Sequence, residues 1–313
     1  MSLIEKAVQR LEQLKEVNGP AGEIEQIGSE LKARPIAKEA LGDTKCNGVT
    51  PASENLRSKE VYIDLESLHA RGMVAPNYQK TLIAEEFRLI KRPILKNVAD
   101  LEGGNSNLIM VTSALPGEGK SFTAINLAIS IAMELDHTVL LVDADVSKPS
   151  ILKNVGLPAA PGLMDVLSEN NIELSEFLLK TNIPKLSILP AGMPHANATE
   201  FLASEAMNRL LDEIAQRYSD RIVIFDSPPL IATTEARVLA THMGQIVMVV
   251  ESGRTPGGAL HQALTAVEAC PIKMMVLNKS TGEKVGGYYG YGYGYGSEGE
   301  NGALRKEAAG NVV

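Results

Sequence analysis

Residues 108–121 read L-I-M-V-T-S-A-L-P-G-E-G-K-S, a β-branched apolar run that breaks into a glycine-containing loop and ends in Lys-Ser. Beyond it Phe122, Ala124, Ile125, Leu127, Ala128 and Ile131 recur at helical spacing. No other stretch constrains the fold as tightly. A buried strand must deliver the loop, and the loop N–H groups together with a helix N-terminus make an anion cradle. In such a P-loop Lys120 reaches the outer phosphates of a nucleotide and the Ser121 hydroxyl ligates Mg²⁺. Gly117 and Gly119 admit the phosphates close to the backbone, while Ala114 stands where the consensus has its first glycine. The candidate nucleotide-binding set is therefore Gly117, Glu118, Gly119, Lys120, Ser121 and Phe122. The bland alternative is a strand–turn–helix carrying Gly-Lys-Ser by chance, which leaves the ordered context unexplained.

From Asn107 onward the pattern is regular. Apolar strands are expected at about 108–113, 138–143, 186–190, 221–226, 246–250 and 272–277, alternating with helices at about 120–135, 198–218 and 257–269. Continuous apolar runs separated by helices predict an α/β fold, a doubly wound, mostly parallel sheet covered on both faces. Ligands then sit at the carboxyl ends of the strands. A helix from about Gln79 to Lys96 precedes this region, bent or ended by Pro93. Residues 3–16 read as an amphipathic helix opened by a Ser2/Glu5 capping box. Residues 17–60 lack periodicity and read as linker. The expected organisation is an N-terminal helix and linker at 1–78, a P-loop domain at 79–280 and a tail at 281–313.

Three acids close apolar strands: Asp143 and Asp145 after T-V-L-L-V, and Asp226 after R-I-V-I-F. A carboxylate there is costly to desolvate unless it has a partner. Mg²⁺ bound to a nucleotide is one such partner, completing its shell from carboxylate, hydroxyl, water and phosphate oxygens. Capping of the following helix is the structural alternative. Two acids beside one metal also divide labour, one serving the metal and the other accepting the proton of an attacking hydroxyl.

Composition narrows the classes. A formal net charge of −8 argues against a nucleic-acid partner held through phosphates. Two distant cysteines, Cys46 and Cys270, exclude a disulfide framework and suit a reducing cytoplasm. No apolar run approaches the roughly 18 residues of a membrane span. Glu5, Lys6, Gln9 and Arg10 interrupt any signal-peptide core, so a cytoplasmic protein is expected.

The motifs together resemble those of the bacterial tyrosine kinases, the BY-kinases, over about 80–295. Pro116-Gly-Glu-Gly-Lys-Ser121 is similar to their P-loop, Asp143-x-Asp145 to their second acidic motif, and Asp226-Ser-Pro-Pro229 to their Walker B form. The resemblance implies a P-loop NTPase-type fold and an ATP- and Mg²⁺-dependent tyrosine kinase. Lys120, Asp143 and Asp145 are then the catalytic candidates, with Ser121, Asp145 and Asp226 as metal ligands. Asp143 is the preferred partner of the incoming tyrosine, although the roles of the two acids are interchangeable at this level. Asn278, ending the last strand, is placed beside the adenine. Glu85-x-x-Arg88-x-x-Lys91 resembles the family's oligomerisation stripe, with Lys in place of the last Arg, which loses bidentate pairing; a solvated helix face is the alternative. Where the family carries Arg after its second acidic motif, this chain has Ser147-Lys148. Met1–Lys15 resembles the start of members linked to exopolysaccharide export. That implies a transmembrane polysaccharide co-polymerase as activator, a tyrosine phosphatase to reset the kinase, and a place at the inner membrane through that partner.

Five of the chain's eight tyrosines, Tyr288, Tyr289, Tyr291, Tyr293 and Tyr295, lie in one glycine-rich window. Glycine at that density disfavours helix and strand, leaving phenols on a pliable tether. They are the expected phosphoacceptors; an aromatic low-complexity tail for self-association is the alternative. The roughly seventeen residues from Asn278 to Tyr295 extend at most about 60 Å and as a coil average about 23 Å. Either the same chain's site or a neighbour's is within reach. The resemblance implies rings in which one tail enters the next subunit's site. Full modification adds roughly −8 to −10 charge to the tail, which would loosen such a ring. The competing readings are a ParA/MinD-type ATPase switch, which carries an early P-loop lysine where this chain has Leu115-Pro116, and a nucleotide-binding scaffold without catalysis.

Overall fold

The computed structural model describes residues 59–100, 105–168, 173–217 and 221–280. The expected N-terminal helix at 3–16, most of the linker and the tyrosine-rich tail lie outside the described residues. Eight strands form one sheet: β1 (Lys59–Val61), β2 (Leu108–Ser113), β3 (Thr138–Asp143), β4 (Leu179–Thr181), β5 (Leu186–Leu189), β6 (Arg221–Asp226), β7 (Gln245–Glu251) and β8 (Ile272–Asn278). Their order is β1-β4-β5-β3-β6-β2-β7-β8. All neighbours are parallel except β4 and β5.

The central strands are apolar throughout because both faces are covered. Met110, Leu140, Val142, Val223, Phe225 and Met248 face one layer. It includes α5 (Leu163–Ser168), α6 (Ala198–Leu202), α7 (Glu205–Arg217), α8 (Glu235–Ala240) and α9 (Gly257–Ala266). The alternate residues Ile109, Val111, Val139, Leu141, Ile224 and Val247 face the other. There they meet α1 (Leu65–Ala70), α2 (Leu82–Asp100), α3 (Lys120–Ala132) and α4 (Ile151–Asn154).

Several expectations need correction. The sheet domain begins before residue 79, because β1 pairs with β4 from Lys59 to Val61. The helix expected at about 79–96 spans Leu82–Asp100 and does not end at Pro93. Pro93 lacks the N–H that would otherwise bond the Leu89 carbonyl one turn earlier. The single helix expected at 198–218 is two, divided at Ser204, whose hydroxyl accepts the Met207 N–H at 3.3 Å as an N-cap.

Candidate active site

The P-loop joins β2 to α3. Gly117 and Gly119 adopt φ of +86° and +99°, in the left-handed region that side chains disfavour. At Gly119 a Cβ would also stand 2.0 Å from Asn278 Nδ2. Gly119 caps α3, so the N–H groups of Lys120, Ser121 and Phe122 open the helix without intrahelical partners. The Phe122 ring packs edge-on against Phe87, with centroids 6.4 Å apart, and only its backbone faces the cradle. Glu118 is 2% exposed. Its carboxylate accepts the Leu115 N–H at 2.9 Å and the Thr255 hydroxyl, so the side chain staples the loop from within.

The acids converge on the same crest. Asp143 and Asp226 are register partners on β3 and β6. Lys120 Nζ lies 2.6 Å from Asp145 Oδ2 and 3.9 Å from Asp226 Oδ1. Asp145 Oδ1 accepts the Lys148 N–H at 3.1 Å, while the Lys148 side chain is exposed. Asp143 Oδ2 accepts the N–H groups of Ser150 and Ile151 at 2.9 and 3.0 Å. Helix capping is therefore real at Asp143, but it occupies only one oxygen. Asp143 Oδ1 and both Asp226 oxygens are buried without a hydrogen-bond partner among the described residues.

Burial pushes Asp226 up to about 7, with Lys120 opposing and Asp143 adding repulsion. Burial likewise raises Asp143 to about 6, against the two N–H bonds that favour its charged form. Orphaned carboxylate oxygens of this kind suit a cation. Among the described residues no cluster of three or more His, Cys, Asp or Glu forms an all-protein metal cage. Asp226, with both oxygens free, and Ser121 would supply part of a Mg²⁺ shell, with water and phosphate the rest; Asp145 would join them only on leaving Lys120, which holds its Oδ2 here.

On the other side of the P-loop, Asn278 Nδ2 donates to Glu118 O at 2.9 Å. Lys279 Nζ donates to Gly117 O at 2.6 Å and pairs with Glu251 at 3.2 Å. The amide nitrogen of Asn278 thus braces the loop. Thr255 and Lys279 were not foreseen from the sequence. The only visible hint was Asn-Lys-Ser closing the last apolar strand.

The expected oligomerisation stripe divides. Glu85 and Arg88 form an ion pair within α2, and Arg88 also donates to Gln79 O at 2.8 Å. Lys91 is buried, bonded to Glu134 and to Ser130 O at 2.6 Å each. Its ammonium is held by partners within its own chain.

A parallel sheet that delivers a P-loop and strand-end acids to one crest defines a P-loop nucleotide-binding domain. The family described as AAA domain matches residues 106–269. Tyrosine-protein kinase YwqD of Bacillus subtilis (strain 168) is 33% identical over 224 residues, covering 70% of this chain and 92% of that protein. The tyrosine-protein kinase ptk of Acinetobacter johnsonii is 30% identical over 174 residues, 56% of this chain but only 23% of that longer protein. Among solved structures, the kinase domain of Escherichia coli tyrosine kinase ETK superposes with a TM-score of 0.57 at 26% identity, covering 67% of this chain and 80% of that one. The chain belongs to the bacterial tyrosine kinase family.

Proposed function

We propose that this chain is an ATP- and Mg²⁺-dependent protein-tyrosine kinase whose acceptors are the tyrosines of its own tail, Tyr288, Tyr289, Tyr291, Tyr293 and Tyr295. The observation that carries the reading is Asp143, which lines a cleft of about 160 Å³ and keeps one buried carboxylate oxygen, Oδ1, unpaired among the described residues. Pro149, Leu152, Leu157, Ala160 and Pro190 wall the cleft, and Asp143 lines it. Mostly apolar walls, with Lys153 and one carboxylate among them, suit a phenol, an apolar ring with a polar tip.

The chain's residues divide the work. P-loop N–H groups and Lys120 hold the phosphates, and Ser121, Asp145 and Asp226 would hold Mg²⁺. When bound, the ion offsets the charge on the phosphate oxygens. Asp143 accepts the phenolic proton as the tyrosyl oxygen attacks the γ-phosphorus and the bond to the ADP oxygen breaks.

The regulatory reading extends from the family. Transfer runs between subunits of a ring, a transmembrane polysaccharide co-polymerase activates the kinase at the inner membrane, and a phosphatase resets it. Accumulated tail charge would then open the ring. Among the described residues no helix is long and apolar enough to cross a membrane.

The test incubates the full chain with γ-labelled ATP and Mg²⁺ beside Lys120→Met and a chain truncated after Thr281, and maps the label by mass spectrometry. Label on the tail, absent from both variants, is expected. Free phosphate with unlabelled protein would indicate a ParA/MinD-type switch instead.

A further inference from the structure

We infer that Lys279, together with Asn278, is a positioning residue that aims the phosphate-binding amides of the P-loop, an inference that rests on the nucleotide-binding reading above. Every peptide bond described is trans. In a trans peptide the carbonyl and the N–H of one plane point in opposite directions. The Gly117 carbonyl shares its plane with the Glu118 N–H, and the Glu118 carbonyl shares its plane with the Gly119 N–H. Lys279 Nζ holds the first carbonyl at 2.6 Å and Asn278 Nδ2 holds the second at 2.9 Å. Two carbonyls pinned on one side therefore fix two adjacent N–H groups on the other, where consecutive amides form an anion nest.

Local sequence cannot set this orientation. Gly117 and Gly119 flank the two planes, and glycine passes between positive and negative φ with little penalty. The orientation has to be imposed from outside the loop. A third contact comes from the same direction, the Thr255 hydroxyl donating to the Glu118 carboxylate. Lys279 is itself held in place: it stands at φ +55°, a conformation unfavourable for a residue with a Cβ, and Glu251 pairs with its ammonium at 3.2 Å. That pairing also offsets the Lys279 charge, so its effect on phosphate runs through the loop rather than through long-range attraction.

The substitutions that separate positioning from stability follow from the same φ. Lys279→Gly removes the donor at a position whose backbone glycine adopts without strain, and Lys279→Met removes it while keeping the apolar stem. Binding of Mg–ADP and of Mg–tripolyphosphate, which has no base, is measured by calorimetry on the full chain, with thermal unfolding in parallel. Both variants are expected to bind both probes about tenfold more weakly, the loss expected for one charge-assisted hydrogen bond. The Gly variant is expected to unfold no lower than wild type, and Lys279→Arg is expected to retain most of the affinity. Unchanged affinities, a loss confined to ADP, or a loss that tracks the unfolding temperature would overturn the inference. Wild-type protein that binds neither probe would instead remove the functional reading on which the inference stands.

Discussion

The ammonium of Lys120 bridges two strand ends, 2.6 Å from Asp145 Oδ2 and 3.9 Å from Asp226 Oδ1. The P-loop lysine therefore carries two duties. In the ligand-free protein it is the counter-charge of a buried acidic crest, and in the proposed nucleotide complex it would turn to phosphate.

Lys120→Met tests both duties. At pH 8 the ligand-free variant should unfold below wild type, because it leaves Asp145 and Asp226 without their cation. Wild-type protein at a hundredfold excess of Mg–ADP over Kd gains about 2.7 kcal/mol, and the variant should gain none. An equal ligand-induced shift in the two proteins would remove Lys120 from the phosphate site.

Asp143 combines a structural oxygen with a chemical one. Oδ2 caps α4 through Ser150 and Ile151, whereas Oδ1 is buried and unpaired among the described residues. Asp143→Asn keeps an acceptor for the cap, so its unfolding temperature should stay near that of wild type while tyrosine phosphorylation falls roughly 10²–10⁴-fold. Asp143→Ala should lose a further 1 kcal/mol or so of stability with the cap. Rates from quenched-flow labelling and melts of the two variants separate the roles, and an active Asn variant would exclude Asp143 as the base.

Asp226 sets a pH dependence. Its folded value of about 7 lies above the ordinary 3.8, so the folded protein keeps a proton that the unfolded chain has already released. The associated stability is full below about pH 4 and declines as pH rises to about 7. Metal-free Asp226→Asn should therefore gain on wild type between pH 5 and pH 8, by at most about 4 kcal/mol at the upper end. Urea titrations across that range measure the difference. A gap that is flat with pH would mean that Asp226 is already ionised in the metal-free fold.

What was legible in the sequence was whatever repeats locally. β2, β3 and β6 begin and end where their apolar runs do, because strands buried on both faces need no alternation to announce them. The acids were legible for the same reason, each closing such a run. β1 and β4 span three residues each, too short for any period to register. The contacts that brace the loop join residues far apart in the chain, Glu118 with Thr255 and Gly117 with Lys279, and so does the separate Lys91–Glu134 pair. Lys91 shows the limit of reading charge spacing alone, since its partners, Glu134 and the Ser130 carbonyl, come from outside its helix.

Burial separates two kinds of residue within one stripe. Lys91 bonds Glu134 and Ser130 O, and it holds the Glu134 carboxyl below its usual range. Lys91→Ala should lower stability by about 1–3 kcal/mol, because it leaves the Ser130 carbonyl and Glu134 without their donor. The exposed Glu85–Arg88 pair contributes little to folding, so Glu85→Ala and Arg88→Ala should melt within about 1 kcal/mol of wild type. If the stripe joins subunits, these two variants alone should sediment as smaller species at matched concentration. A Lys91→Ala protein that melts like wild type yet dissociates would return Lys91 to the interface.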